Sequence, residues 1–427
     1  MNSHKKRNSE AVLTLKGQQS IVRDTYEMRQ VNLNQPVAAS SETARGINRR
    51  LVLNLIRNRQ PISRADVARL SGLQRSTVSL IAEELIGDKW VVEGSVGRLP
   101  RGRRPTFLQL NDKRAVVCVD IRPSNITVGV GGVNGEFSSQ DVIATPPDPN
   151  VALKERSRRI KALMKARPRT AFEGIGISLP GRIDLATHQL VFAPNLKWPI
   201  ADIKGPLERE TGLEVELENA ANACALAEMW FGRSGEIRDL VAVTVSEGIG
   251  AGIIAHGQLI TGRSGMAGEF GHVPLDPDGP LCTCGNKGCW EVLASNRAAL
   301  RYYSESRSQN VNANGDGFEF QDLLTLAEQG DVLANRALTR MAVELGRGTR
   351  MIVAALAPEA ITFIGEFTAA WGRFHHVIEA AVQAQSIASK PALLLAAQDG
   401  ATARVRGTIA LVFQKHFGAP ALIAKRG

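Results

Sequence analysis

His272, Cys282, Cys284 and Cys289 crowd into one short stretch of a 427-residue chain that holds only five cysteines. Their order is His, nine residues, Cys-Thr-Cys, four residues, Cys. This constrains the fold more than any other feature, because one ion bound by all four would close the loop at fixed distances. Thiolates and a neutral imidazole are the usual ligands of tetrahedral zinc, and a Cys3His set with no open position describes a structural site. Gly285 and Gly288 supply the tight turns needed to bring three cysteines around one ion. A Cys282–Cys284 disulfide is disfavoured by the single residue between them, and cysteines spread this way do not make a disulfide framework. The alternative is three reduced cysteines brought together by chance. Cys118 and Cys224 sit among apolar residues and are expected in the core.

Charge divides the chain more sharply than composition does. Residues 1–113 hold 20 Lys and Arg against 10 Asp and Glu, so the whole net charge of +10 falls there and the remainder is balanced. Such asymmetry points to a basic nucleic-acid-binding segment on a neutral body, the alternative being a basic solvated tail. With 44% hydrophobic and 22% charged residues, the chain is not wholly disordered, collagen-like or a disulfide scaffold. No uncharged apolar run approaches the ~18 residues that a membrane span needs. The basic start, Met1-Asn-Ser-His-Lys-Lys-Arg, is not followed by a secretory apolar stretch. The expectation is a soluble, cytoplasmic protein without membrane contact.

Residues 1–43 are polar and lack sustained periodicity, which predicts a flexible arm. From Gly46, Ile47, Leu51, Leu53, Leu55 and Ile56 fit an amphipathic helix to about Asn58. Ser63 is a helix cap, with Asp66 placed to reach back to the cap nitrogen; the helix from Arg64 stops near Ser71-Gly72, and a second starts at Gln74. Two short helices joined by a Gly-containing turn are the pattern of a helix-turn-helix. Gln74, Arg75, Ser76, Thr77 and Ser79 lie near the start of the second helix, where base edges are read. Strands expected at Trp90–Val92 and Thr106–Leu110 bracket a Gly/Arg turn. This makes a winged helix-turn-helix over 44–112, with Arg98, Arg101, Arg103 and Arg104 on the wing, where arginines hold phosphates or enter a minor groove. A basic helical hairpin in another role is the alternative.

From Arg114 the chain alternates strand and helix patterns. Strands are expected at Ala115–Ile121, Ile126–Val133, Thr170–Leu179, Leu240–Val245, Gly252–Ala255, Ile361–Ile364 and Ala392–Leu395. Helices are expected at Leu153–Ala166, Ala220–Phe231, Ala294–Ser304, Phe320–Gln329 and Val332–Leu356. This is a two-lobed α/β body over 113–427, with the zinc loop at 268–291 and no internal sequence repeat.

Gly268-Glu-Phe-Gly-His272 and Cys282-Thr-Cys-Gly-Asn-Lys-Gly-Cys289-Trp-Glu291 resemble the signature of the ROK family (repressor, open reading frame, kinase) of sugar kinases and sugar-responsive repressors. Ser178-Leu-Pro-Gly181, Ala193-Pro-Asn195-Leu and Gly248-Ile-Gly-Ala-Gly252 extend the resemblance from about Val116. A winged helix-turn-helix in front is similar to the repressor branch, that of xylose and N-acetylglucosamine repressors. The resemblance implies an actin-like, hexokinase-like fold with a sugar between two lobes beside the zinc loop. It implies sugar contacts at Asn219, Glu269, His272, Glu291 and Asn195, His272 linking zinc to the pocket; surface carboxylates are the alternative for Glu269 and Glu291.

The kinase side of the pattern is altered. Where the kinases carry Asp-Ile-Gly-Gly-Thr, this chain reads Asp120-Ile121-Arg122-Pro123-Ser124, losing a backbone donor and close approach to phosphates. Ser246-Glu247-Gly248 puts a carboxylate in the second glycine loop, and Gly365-Glu366 replaces the third motif. The family's catalytic aspartate falls at Ala220 within Glu218-Asn-Ala-Ala-Asn222, and alanine accepts no proton. The chain is therefore expected to be a sugar-responsive DNA-binding repressor of carbohydrate-use genes, with no catalytic residues and one structural Zn2+. Its expected partners are double-stranded operator DNA, a sugar or sugar phosphate, and further copies of itself as a homodimer or tetramer. Two alternatives remain, an active ATP-dependent sugar kinase and a regulator whose effector is a protein partner.

Overall fold

The computed structural model describes residues 41–96, 106–184, 187–193, 195–232, 237–307, 317–384, 391–398, 400 and 402–417. By their contacts, Met1–Ile47 and Asn48–Gly427 are separate units. Of the first, residues 41–47 are described, as the opening turns of α1 (Ser41–Arg59). The expected arm thus lies outside the described residues, apart from its last three, which are helical.

After α1 come β1 (Ile62–Ser63), α2 (Arg64–Ser71), α3 (Arg75–Gly87), β2 (Val91–Val96) and β3 (Thr106–Leu110). Ser63 caps α2 by accepting the Asp66 N–H at 3.2 Å. The Asp66 carboxylate accepts the Ser63 hydroxyl at 2.7 Å rather than the cap nitrogen. Gly72, at φ 73°, ends α2 in the left-handed conformation that glycine adopts without steric cost. The three strands form a small antiparallel sheet in the order β1-β3-β2.

The rest of the second unit is built on two five-stranded sheets with the same topology. In the first, β4 (Arg114–Ile121), β5 (Asn125–Gly132) and β6 (Phe137–Ala144) make an antiparallel meander. β7 (Ala171–Leu179) and β10 (Val215–Asn219) extend it in parallel from β4. Between them lie α4 (Pro149–Lys165), the hairpin β8 (Arg182–Ile183) and β9 (Leu190–Phe192), and α5 (Lys204–Thr211). After α6 (Ala220–Phe231), the second sheet repeats the plan. β11 (Leu240–Val245), β12 (Ile249–Ala255) and β13 (Gln258–Ile260) are antiparallel, and β14 (Ala360–Ile364) and β15 (Leu393–Ala396) run parallel to β11. This twofold repetition exists in topology without a repeat in sequence.

Strand periodicity sorts the core into layers. In β4, Val117, Val119 and Ile121 pack toward α4 and α5, while Val116 and Cys118 face α12 (Ala403–Phe417). In β11, Val241, Val243 and Val245 pack toward the outer helices α7 (Trp290–Ala294), α8 (Asn296–Ser306), α9 (Phe320–Glu328), α10 (Val332–Leu356) and α11 (Trp371–Gln383). Leu240 and Ala242 pack toward α6. Helices α6 and α12 therefore lie against each other between the two sheets. Cys118 and Cys224 are buried there, as expected.

That close approach requires glycine. A side chain at Gly407 in α12 would collide with the Ala223 carbonyl of α6, and one at Gly176 in β7 with the Thr408 carbonyl of α12. Neither α11 nor α12 was expected from the sequence. Helix α12 is also the lid on the N-terminal elements: Phe413 and Phe417 share one apolar core with Leu53, Ile56, Val78, Leu85, Trp90 and Leu108. Among the described residues no helix is long and apolar enough to cross a membrane.

Candidate ligand cleft and metal-binding loop

Between the two lobes lies a cleft of about 320 Å3, lined by residues from both sheets and from the cysteine loop. Asn219, the last residue of β10, caps α6: its side-chain oxygen accepts the Ala221 N–H at 2.8 Å. Its amide nitrogen donates to the Gly181 carbonyl at 2.7 Å, which leaves one N–H. Glu218 fixes the turn from behind, accepting the Asn219 N–H at 2.7 Å and the Asn222 amide at 3.0 Å. Burial pushes the Glu218 carboxyl above its ordinary range. Ala220 lines the cleft beside Asn219 and brings no carboxylate to it.

Opposite, Glu291 on the first turn of α7 is buried and accepts the Ile249 N–H at 3.1 Å. Burial raises its pKa, against the pull of His272. A side chain at Gly248 would collide with Glu291 Oε2 and lie 3.5 Å from the Asn195 amide. The bare Cα of Gly248 is thus what leaves room for the Glu291 carboxylate. Glu269 and His272 belong to a short 3-10 helix (Glu269–His272), with His272 Nε2 3.8 Å from Glu269 Oε2.

The other face of the His272 ring meets the cysteines. His272 Nδ1 lies 3.5 Å from Cys282 Sγ, and Cys284 Sγ lies 3.6 Å from Cys289 Sγ. All four ligand atoms fall within 4.8 Å of one another. Bonds of about 2.0–2.3 Å in a tetrahedron need ligand separations of roughly 3.3–3.8 Å, a range into which the His272–Cys282 and Cys284–Cys289 pairs fall. Gly285 and Gly288 have φ of 94° and 58°, and a side chain at Gly288 would collide with the Asp276 carbonyl. Burial raises Cys282 and pushes Cys289 up to about 12. At Cys284 burial is outweighed by hydrogen bonds from Asn286 and the neighbouring thiols, which hold it below its usual value. Buried thiols this close together suit a cation that takes the place of their protons. His272, Cys282, Cys284 and Cys289 can hold a metal, and the imidazole joins that cage to the cleft.

All five residues read from the sequence as sugar contacts, Asn195, Asn219, Glu269, His272 and Glu291, line this cleft. Sequence reasoning missed Arg404 on α12, which lines it too, and Arg182, whose guanidinium reaches the Met266 sulfur at 3.1 Å across the mouth. Far from the cleft, Gln74, Arg75 and Ser76 are exposed at the start of α3, with Thr77 and Ser79 half-buried behind them. Gln74 makes no side-chain cap bond. Leu80, on the same helix, is 63% exposed. Arg98, Arg101, Arg103 and Arg104 lie outside the described residues.

Residues 116–415 match the model of the ROK family. A xylose repressor from Caldicellulosiruptor bescii is 33% identical over 337 residues, which are 75% of this chain and 84% of that protein. The solved structure of a ROK family transcriptional regulator, described as a homologue of the E. coli MLC protein, superposes with a TM-score of 0.76 at 25% identity. It covers 89% of this chain and 98% of its own. A ROK family glucokinase from Streptomyces griseus, solved with glucose and AMPPNP, superposes with a TM-score of 0.63 at 30% identity, covering 70% and 99%. With the two-lobed α/β body, the cleft and the cysteine loop inside the matched span, the chain belongs to the ROK family.

Proposed function

We propose that this protein is a sugar-responsive transcriptional repressor whose kinase-like body binds the effector and no longer transfers phosphate. The observation that carries this reading is the reach of the likeness. The regulator structure covers 89% of the chain and the glucokinase 70%; at 89% the likeness to the regulator necessarily reaches into the elements before residue 116. In this reading residues 44–112 are a winged helix-turn-helix following an arm over 1–43, and 113–427 are the effector domain. Helix α3 enters a major groove with Gln74, Arg75, Ser76, Thr77 and Ser79 toward base edges. Arg98, Arg101, Arg103 and Arg104, in the segment joining β2 to β3, hold phosphates.

In the cleft, Asn219, Asn195, Glu269, His272 and Glu291 bind sugar hydroxyls, and Zn2+ held by His272 and the three cysteines fixes the loop that carries Glu269 and Glu291. The role of the ion is structural, since four protein ligands leave no open position. Without a carboxylate at position 220, and with Arg122 and Pro123 in the first phosphate loop, the chain has neither the general base nor the close backbone approach that phosphoryl transfer uses. The protein acts in the cytoplasm as a homodimer or tetramer on operator DNA, with no membrane contact, and releases the DNA when sugar or sugar phosphate binds.

The test is fluorescence anisotropy on the DNA upstream of its own coding region, at stated salt, with a panel of sugars and sugar phosphates. Specific binding released by one sugar supports the repressor reading. Specific binding that no sugar alters sinks the sugar effector, and sugar-dependent ATP turnover would revive the kinase. Arg75→Ala should lose affinity unequally across operator variants, whereas Arg103→Ala should weaken all sequences and flatten the salt dependence. Metal analysis should find one zinc per chain, and chelation should lower the melting temperature.

A further inference from the structure

Asp120, at the end of β4, is buried and grasped from two sides. Arg404 Nε donates to its Oδ1 at 2.9 Å and Arg122 Nε to its Oδ2 at 3.0 Å, while a second Arg404 nitrogen reaches the Ile121 carbonyl at 3.1 Å. Arg122 then crosses to the other lobe, where it meets Glu366 at 3.4 Å. Glu366 in turn accepts the Asn296 amide of α8 at 3.0 Å. Against its burial, the charges of Asp120, Glu366 and Glu247 hold the Arg122 guanidinium protonated.

This network spans open space. It borders a cavity of about 620 Å3 lined by Asp120, Arg122, Gln321, Glu366, Thr368 and Gln398, so the lobes touch there through a strap and not through a packed core. Its two carboxylates and two guanidinium groups balance. Parting the lobes would withdraw Glu366 and leave a net positive charge on a half-buried triad, a change the low local dielectric opposes.

The strap and the ligand cleft report on the same coordinate. Asn195 and Asn219 come from the first lobe, Glu269, His272 and Glu291 from the second, so any ligand they share is linked to the lobe arrangement. Arg404 sits on the opening turn of α12. At the far end of that helix the Phe417 carbonyl accepts the Asn54 amide of α1 at 2.9 Å, and Trp90 packs on Phe413 and Phe417 with ring centroids 6.0 and 5.6 Å away. Arg57 of α1 lies 4.1 Å over the Trp230 ring at the end of α6, whose own start is capped in the cleft by Asn219.

We propose that Asp120, Arg122, Glu366 and Arg404 form an interlobe latch that holds the lobes in the arrangement described above and passes a change in it through α12 to the elements before residue 111. The proposal rests on the reading above, in that it takes a sugar to occupy the cleft and DNA to lie on α3.

The experiment uses the full chain with Glu366→Gln, Arg122→Gln and both together. It measures operator release by D-xylose and D-glucose, and amide hydrogen exchange in α12 without sugar. Each single variant should shift the sugar concentration for half-release by about 5-fold or more, within the usual range of allosteric coupling. The double variant should shift no further than the larger single, because both break the same Arg122–Glu366 bridge between the lobes. Exchange in α12 should rise in all three. Wild-type midpoints with wild-type exchange, or a double shift equal to the product of the singles, would overturn the latch. If neither sugar releases the wild-type protein, the effector reading fails by itself and exchange decides: raised in both singles, the latch stands; unchanged, it falls.

Discussion

Gly248 does its work by lacking a side chain, since Glu291 Oε2 occupies the space a Cβ would take. Gly248→Ala should therefore displace the Glu291 carboxylate and cost about one hydrogen bond to a charged group, roughly 1.5–3 kcal/mol. Isothermal titration should read this as a loss of sugar affinity of about tenfold or more. A second residue sets a pH window. His416 lies with its ring 4.5 Å from that of Trp90. Burial first, then the charges of Lys415, Arg114 and Arg49, bring its pKa down from 6.5 to about 4. The unfolded chain takes up that proton first as pH falls, so the stabilisation is full above about pH 6.5 and is lost between 6.5 and 4. Melting temperature should drop more steeply over that interval in the wild type than in His416→Gln; equal slopes would remove His416 as the source. The metal ligands were legible in the sequence because their chemistry is local. Arg404 was not, since nothing near it announces a partner 284 positions earlier.

Elements were legible where intrinsic propensity agrees with the structure formed and hidden where it does not. The reading of α6 gave the observed bounds, and the expected strands at Thr106–Leu110 and Leu240–Val245 match as well. Helix α12 escaped notice because Val405, Thr408, Ile409, Val412 and Phe413 are β-formers by propensity. It is also buried nearly all round, against β7, β4 and α6, so no polar stripe marks a helical period. Gly407 in its middle reads as a breaker until the Ala223 carbonyl is seen against it. Gly407→Ala should cost about 1–3 kcal/mol through overpacking, lowering the melting temperature, although alanine is the better helix former. A rise would mean that α6 and α12 are not in close contact. In the N-terminal elements, β1 went unseen because two residues carry no period, yet the turn between α2 and α3 was readable from Gly72.

At the scale of the molecule, the lobed architecture followed from alternating patterns, but its internal symmetry did not, because topology can repeat without any residue repeating. One expectation depends only on the whole system. If sugar weakens operator binding by some factor, operator DNA must weaken sugar binding by that same factor. Titrating sugar into free protein and into the protein–DNA complex, and operator into the protein with and without sugar, should give the two factors equal within error, and unequal factors would mean that a second process, such as a change of oligomer, intervenes. The shared core has a consequence in time. Asn54 and Phe417 are 363 positions apart, and the core around Leu53, Trp90 and Leu108 is closed by the later of the two. During translation, at about 5–20 residues per second, Leu110, the last of these core residues before the body, leaves the ribosome roughly 15–60 s before Ala403 at the start of the helix that covers this core. A chain interrupted before Ala403 holds the proposed recognition helix without the lid on its core.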